Sequence, residues 1–159
     1  MGDIYHSQLV VVGKPSAETS FTTTNQEAYW RNIKSYTTFA EAQSSRKEVL
    51  YAGSNSGILH AIDGLTGVEI WGFVPPFIAA KMPGIINPKL NNVNPDKGGS
   101  NAIYGVDGSP VQHDIFFKSP HDNSSRWHTI IFVPYGRGGS GFSILDVTDP
   151  NRPEHLVSI

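Results

Sequence analysis

The sequence predicts an all-β fold of short antiparallel strands, with a few helical residues inserted between them. Short β-branched runs alternate with clusters of glycine, proline and asparagine, and the 159 residues include 16 glycines and 11 prolines. Such punctuation is typical of strands joined by tight turns. One strand–turn–strand pattern also occurs twice along the chain. Together these observations predict a fold built from repeated sheets.

Seven runs are predicted to be strands of ordinary length, each ending at a turn residue. They span residues 8–12, 49–52, 58–62, 68–74, 109–117, 129–135 and 142–147. The glycine-flanked loop 53–57, between the second and third runs, indicates a β-hairpin.

Helical segments are predicted in the connections between strands. Thr24–Glu27 and Thr38–Glu41 both have the spacing of a capping box, in which a hydroxyl and a carboxylate satisfy free N–H groups at a helix start. The predicted helices cover 25–33, 39–47 and 77–82, and a long surface loop covers 87–101.

Length, charge and cysteine content exclude several classes of protein. A chain of 159 residues fits one domain, 1–159, with a real core. The net charge of −2 argues against a dedicated nucleic-acid binder and gives no attraction to an anionic membrane. No apolar run approaches the length of a membrane-spanning helix. Since the chain has no cysteine, disulfides, thiolate zinc sites and cysteine nucleophiles are excluded. The first residues lack the basic and apolar regions of a signal peptide, so if the parent protein is exported, its signal is expected upstream.

The internal repeat lies between residues 52–63 and residues 135–146. Both segments contain an apolar strand, a glycine-rich turn, a second apolar strand and then an aspartate, Asp63 or Asp146. An aspartate at the first position of a turn can accept N–H bonds from the residues that follow. After Asp63, Gly67 allows a left-handed backbone before the next strand.

The first copy of the repeat continues into a recognisable signature. Residues 61–71 read A-x-D-x-x-T-G-x-x-x-W, and the matching residues are Ala61, Asp63, Thr66, Gly67 and Trp71. This pattern resembles the blade signature of quinoprotein-type β-propellers. The resemblance implies that Trp71 docks between neighbouring blades, with its ring against a peptide of the next sheet. The signature indicates an architecture and does not by itself indicate an activity.

Several further segments extend the resemblance over most of the chain. Residues 2–7, 51–61, 71–76, 106–110 and 144–150 occur in an order that resembles the C-terminal propeller of the PilC/PilY family, the tip-associated adhesins of type IV pili. The resemblance implies a partial quinoprotein-like β-propeller of about three blades, with insertions at about 14–48 and 75–101. The family's calcium loop would lie downstream, so no metal or cofactor is expected in this chain.

A partial propeller leaves two sheet faces uncovered. Because a propeller closes its ring so that each blade packs on two others, we expect this chain to be part of a longer protein. Alternatively, copies of itself or another chain would cover the open faces.

By resemblance, the predicted function is non-enzymatic: pilus assembly, surface attachment and twitching motility. The expected partners are minor pilins or a host or surface receptor, at the cell surface, pilus tip, outer membrane or periplasm. The candidate binding loops are 14–35, 84–101 and 118–127. Two alternatives stay open: a fragment of a pyrroloquinoline-quinone (PQQ) dehydrogenase, and a scaffold propeller of outer-membrane assembly. The first alternative lacks the vicinal cysteine pair of such enzymes.

A glycine-rich turn at residues 136–141 formally matches G-x-G-x-x-G. A dinucleotide loop requires a following helix, whereas a strand is predicted after this turn, so a hairpin turn is favoured. A second interpretation is that the turn binds an anion, through Gly136, Arg137, Gly138 and Gly139.

Most of the remaining polar candidates have residue types and positions that favour a structural role. His60 is predicted to be buried and hydrogen-bonded, whereas His113–Asp114 and His121–Asp122 are predicted to be surface turns. The turn-forming aspartates are predicted to be structural; they are Asp63, Asp107, Asp146 and Asp149. Five aromatic residues could line a binding surface: Tyr5, Tyr29, Trp30, Trp127 and Tyr135.

Overall fold

A computed structural model describes residues 3–83 and 104–159. Within these residues, eight strands form two four-stranded antiparallel sheets, each ordered as the strands follow in the chain. Sheet 1 contains β1 (Val10–Val12), β2 (Val49–Gly53), β3 (Leu59–Asp63) and β4 (Glu69–Phe73). Sheet 2 contains β5 (Val111–Phe117), β6 (Arg126–Pro134), β7 (Phe142–Asp146) and β8 (Glu154–Ser158). Four-stranded meanders of this kind are the blades of a propeller, and the predicted all-β class is confirmed.

The number of sheets in the described residues is two, where the sequence predicted about three blades. The prediction missed β8, which completes sheet 2. It also began the first strand too early, since β1 covers only Val10–Val12. With eight strands in place of seven, two full meanders account for every strand described.

Three short helices lie in the connections: α1 (Glu27–Ile33), α2 (Tyr36–Ala42) and α3 (Pro76–Ala79). Both capping-box predictions are wrong, because neither helix has a side-chain cap. The helix α2 begins at Tyr36 because Ser35 adopts a left-handed conformation, with φ at 53°, and turns the chain directly from α1 into α2. The predicted loop 87–101 lies outside the described residues. None of the described helices has the length and apolar character needed to cross a membrane.

The core of the described molecule lies between the two sheets, which we call the apolar seam. Alternate residues of the facing strands point into it. Its buried members are Val12, Val49, Tyr51, Leu59, Ala61, Val106, Ile131, Val133, Leu145 and Val147. Gly53 is required in this core, since a Cβ atom there would lie 2.3 Å from the carbonyl oxygen of Val106.

The opposite faces of both sheets carry uncovered apolar residues. On sheet 1, Val11 is 54% exposed, and it pairs with Leu50 in the register. On sheet 2, Val111 and Val157 are also exposed. This pattern is that of two blades with a free face at each end.

The connection between β1 and β2, residues 13–48, carries both α1 and α2. We call it the helical insertion. It leaves sheet 1 and contacts sheet 2, where the indole N–H of Trp127 donates to the carbonyl oxygen of Lys34 at 2.8 Å. The apolar seam and the helical insertion therefore both join the two sheets.

Candidate functional site

The turn after β3 is organised by one carboxylate. Asp63 Oδ1 accepts the backbone N–H groups of Leu65 and Thr66, each at 3.0 Å. These bonds favour the charged form and lower the pKa of Asp63 below its ordinary value. Gly67 has φ at +71°, a conformation that glycine adopts without strain, and it leads the chain into β4.

The turn aims Trp71 of β4 at the neighbouring sheet. Its indole Nε1 donates to the carbonyl oxygen of Pro150 at 2.9 Å, in the connection between β7 and β8. The ring also lies 5.6 Å from that of Tyr51 in the apolar seam. In the register Trp71 lies opposite Ala61, which is fully buried. This arrangement joins the outer strand of one sheet to a turn of the next.

The helical insertion is anchored on sheet 2 by a buried cluster of polar side chains around Asp114. Tyr36 donates its hydroxyl to Asp114 Oδ2 at 2.5 Å, and Thr129 donates to Oδ1 at 2.6 Å. Arg46 donates to the Thr129 hydroxyl at 2.8 Å. The surface-turn prediction for Asp114 is wrong, since it is 6% exposed in the middle of β5. A contact 78 residues away in sequence buries it, and local sequence gives no sign of this.

Burial changes the titration of this cluster. It raises the pKa of the Tyr36 hydroxyl, and the hydrogen bond to Asp114 raises it further. Burial lowers the pKa of the Arg46 guanidinium, while the Asp114 carboxylate opposes that change. The cluster thus links the Tyr36 hydroxyl to Asp114, and Thr129 connects Asp114 to the half-buried Arg46.

Between α1 and sheet 2 lies a cavity of about 470 Å³, which we call the aromatic groove. Its apolar walls are Trp30 of α1 and Ile115, Phe116 and Trp127 of β5 and β6. Phe116 and Trp127 pack edge to face at 5.6 Å. Lys34 lies on the rim with its ammonium 5.1 Å from the Phe116 ring centre.

The other charged side chains around the groove are engaged. Glu27 lies 2.5 Å from the Arg31 guanidinium and 3.6 Å from His113. Lys34, in contrast, contacts no carboxylate among the described residues. The groove therefore combines an apolar interior with a rim lysine, Lys34, that has no carboxylate partner in residues 3–83 and 104–159.

Of the five aromatic residues predicted to line a binding surface, the structure brings two to the groove. Trp30 is 59% exposed and forms one wall, while Trp127 is mostly buried and forms the floor. Tyr29 is exposed beside Trp30, with ring centres 5.8 Å apart. Tyr5 is exposed elsewhere, and Tyr135 is buried with its hydroxyl 2.7 Å from that of Ser143.

A second buried polar site was missed from the sequence. His128 is 1% exposed, and its Nδ1 lies 2.5 Å from Asp146 Oδ2. Its Nε2 lies 2.8 Å from Asp122 Oδ2, and Arg126 lies 2.6 Å from the same carboxylate group. The segment is a turn, as predicted, since the Asp122 N–H donates to the Ser119 carbonyl oxygen at 3.0 Å, but the Asp122 side chain is buried against His128. The predicted strand began at residue 129 and so left His128 out, whereas β6 begins at Arg126.

The prediction for His60 is confirmed. It is 3% exposed, with Nε2 3.1 Å from Ser54 Oγ and Nδ1 2.7 Å from Glu69 Oε1. Among the described residues, no group of three or more histidines and acidic residues is placed to hold a metal ion.

The glycine-rich turn forms a short 3-10 helix over Gly136–Gly138 before β7. The N–H of Gly138 donates to Tyr135, and that of Gly139 contacts the Gly136 carbonyl at 3.5 Å. Arg137 donates to the Tyr104 hydroxyl at 3.1 Å. The N–H groups of Gly138 and Gly139 and one guanidinium N–H of Arg137 thus have partners, and anion binding by this turn stays a prediction.

The fold and the Trp71 joint define the class of the molecule: two consecutive blades of a β-propeller. The family model described as "PilY1 beta-propeller domain" matches residues 1–157, and the chain belongs to this family. The resemblance read from the sequence is confirmed.

Individual relatives agree with this assignment. The chain is 37% identical over 152 residues to a "Type IV pilus biogenesis factor PilY1 homolog" of Xylella fastidiosa, covering 96% of the chain and 11% of that protein. It is 35% identical over 159 residues to "Type IV pilus biogenesis factor PilY1" of Pseudomonas aeruginosa, covering all of the chain and 12% of that protein.

A solved structure also matches, the Pseudomonas aeruginosa PilY1 C-terminal domain. The TM-score is 0.59 at 33% identity, over 94% of this chain and 24% of that one. The chain therefore spans about an eighth or less of these curated relatives and a quarter of the solved domain.

Proposed function

We propose that this chain is a non-enzymatic binding segment of a type IV pilus biogenesis factor. The observation that carries the proposal is the match of the PilY1 propeller family to nearly the whole chain. The proposed role includes pilus assembly, surface attachment and twitching motility. The proposed partners are minor pilins or a surface receptor, met at the cell surface or in the outer envelope.

The helical insertion is the recognition element in this proposal. It is fixed at two places on sheet 2, by Trp127 and by the Asp114 cluster. A segment held on rigid sheets can expose side chains for binding without losing its shape. Tyr29 and Trp30 are half or more exposed on it, and such aromatic residues are typical interface anchors.

The site around His128 is the polar site that most resembles catalytic machinery, but its burial supports a structural role. His128 has the flanking carboxylates of a general base, but it is almost fully buried. The ring of Phe117 lies 4.5 Å from its ring. A substrate would have to displace packed side chains to reach it, whereas a structural contact between the imidazole and the carboxylates requires no access.

The free faces of the two sheets are proposed to contact further blades or another copy of the chain. Val11 on sheet 1 and Val111 on sheet 2 lie on these faces and are more than half exposed. Covering such apolar surface is favourable by about 25 cal/mol per Å².

The binding role is tested in a bacterium whose pili require the protein that carries this chain. The variant replaces Tyr29→Ala and Trp30→Ala together. The matched control is Leu65→Ala, because Leu65 is an apolar residue that is 94% exposed on the turn after β3. We expect the double variant to lose surface pili and twitching at unchanged protein level, and the control to keep both.

Normal twitching by the double variant, together with loss of twitching on deletion of the whole segment, would overturn the role of the insertion and keep the pilus role. Normal twitching after deletion would overturn the pilus role itself. Co-purification of outer-membrane assembly subunits in place of pilins would favour the scaffold alternative.

A further inference from the structure

We propose that the aromatic groove binds an apolar or aromatic side chain of a partner protein that carries a carboxylate next to it. The inference rests on the proposed function only for the class of partner, a protein of the pilus or its surface target. The chemistry of the ligand follows from the groove itself.

The size and walls of the groove fit one bulky side chain. Its volume of about 470 Å³ lies within the range of about 300–1,000 Å³ that is usual for ligand pockets. The floor is the edge-to-face pair of Phe116 and Trp127, and Trp30 of α1 closes one side. An aromatic ring entering this space would meet ring edges and faces in the geometry that aromatic clusters prefer.

The floor is held in place before any ligand arrives. The indole N–H of Trp127 donates to the backbone carbonyl oxygen of Lys34, and the indole ring lies 4.9 Å from the ring of Tyr36. Tyr36 is in turn bonded to Asp114. A pocket whose walls are already fixed loses little conformational entropy on binding.

A sugar is disfavoured as the ligand, because the polar groups around the groove already have partners. A sugar ring requires several unoccupied donors and acceptors beside an aromatic platform. Here the Glu27 carboxylate contacts Arg31 and His113, and both oxygens of Asp114 already accept hydrogen bonds. The indole N–H of Trp127 is also used. An apolar side chain needs none of these groups.

The positive charge of Lys34 on the rim is the reason to expect a carboxylate next to the bound side chain. Lys34 is exposed, has no carboxylate partner among the described residues, and lies over the ring of Phe116. A carboxylate two or three bonds from a bound ring would reach this ammonium. The carboxylate of the bound side chain is therefore expected beside Lys34, with the ring against Phe116 and Trp127.

The test uses N-acetylphenylalanine, its uncharged amide and the neutral disaccharide cellobiose as probes on the full chain. The readout is the indole N–H signal of each tryptophan in a ¹H–¹⁵N NMR spectrum. Trp30 and Trp127 line the groove, whereas the Trp71 indole is bonded in the joint between sheets and serves as an internal reference.

We expect N-acetylphenylalanine to shift the Trp30 and Trp127 signals in a saturable way, with a Kd on the order of 1 mM. The Trp71 signal stays in place. The amide binds about threefold more weakly, since an exposed ion pair contributes little. Cellobiose shifts none of the three signals.

Two variants separate the charge from the cavity. Lys34→Met keeps the aliphatic stem and is expected to remove the difference in affinity between N-acetylphenylalanine and its amide. Its control, Lys47→Met, keeps the difference, because Lys47 lies near Asp63 on sheet 1. Trp30→Ala is expected to weaken the binding of both N-acetylphenylalanine and its amide. An unchanged Trp71 signal verifies that each variant is folded.

Equal affinity of acid and amide for the unaltered chain would overturn the role of Lys34. Shifts with cellobiose alone, equal shifts of all three tryptophans, or no shift with any probe would overturn the groove as a site of this chemistry. Since the probes are small molecules, each of these results leaves the pilus role to be decided by the piliation test.

Discussion

The two contacts between the sheets differ in chemistry. The apolar seam is formed by ten buried hydrophobic residues and the Trp71 hydrogen bond. The contact of the helical insertion is formed largely by directional bonds around one buried carboxylate, Asp114. Apolar contacts stabilise without fixing orientation, whereas buried hydrogen bonds fix orientation and are costly to break. We infer that the seam supplies stability and that the insertion contact positions the aromatic groove.

The largest expected effect is on the seam. Leu59→Ala should lower the free energy of unfolding by about 2–5 kcal/mol, because Leu59 is fully buried and a cavity would remain. Leu65→Ala is the matched change on the surface and should stay within about 0.5 kcal/mol. Urea unfolding of both variants measures the difference, and equal losses would contradict the assignment of the seam as the core.

Matched tyrosine changes sharpen the comparison. Tyr36→Phe should cost about 1.5–3 kcal/mol, since it removes a hydrogen bond to a charged group. Tyr51→Phe in the seam should be neutral or stabilising, because the buried Tyr51 hydroxyl has no partner in the part of the chain described. Chemical unfolding at neutral pH compares the two. The reverse order would show that the seam, and not the insertion, depends on polar bonds.

Trp71→Phe should have a smaller effect, about 1 kcal/mol. The change keeps an aromatic ring beside Tyr51 and removes only the indole donor to Pro150. Thermal unfolding followed by circular dichroism measures it. A loss as large as that of Leu59→Ala would mean that the ring itself is the main contact.

The smallest effect concerns alkaline pH. The folded chain raises the pKa of Tyr36 above the ordinary value of 10.0. The group therefore contributes stability that is fully present below pH 10 and is lost as the pH rises and the unfolded chain ionises. We expect the unaltered chain to lose stability above pH 10 more steeply than Tyr36→Phe does. Parallel curves in unfolding experiments between pH 8 and 11 would refute this.

Local patterns predicted the parts of the fold that depend on neighbouring residues. The hairpin around residues 53–57 and the Asp63 turn form from contacts a few residues apart, and their strands were predicted to within about two residues. The strand β8 was missed because Glu154 and His155 interrupt its apolar pattern.

The insertion and the buried polar sites could not be predicted in the same way. The start of α2 depends on the left-handed Ser35, a residue type that seldom adopts that conformation. Asp114 and Asp122 are buried by segments that only the tertiary fold brings to them. Trp30 was a candidate because of its residue type alone. Predicting the groove beside it would have required knowing where β5 lies relative to α1.

Amide hydrogen exchange on Asp114→Ala tests most directly whether the polar cluster holds the insertion in place. The control is Asp149→Ala, in an exposed turn. We predict that Asp114→Ala increases exchange of α1 and α2 amides at least tenfold, while β2 and β3 stay protected and the control changes neither. Unchanged exchange in α1 and α2, or equal loss of protection in sheet 1, would contradict the account.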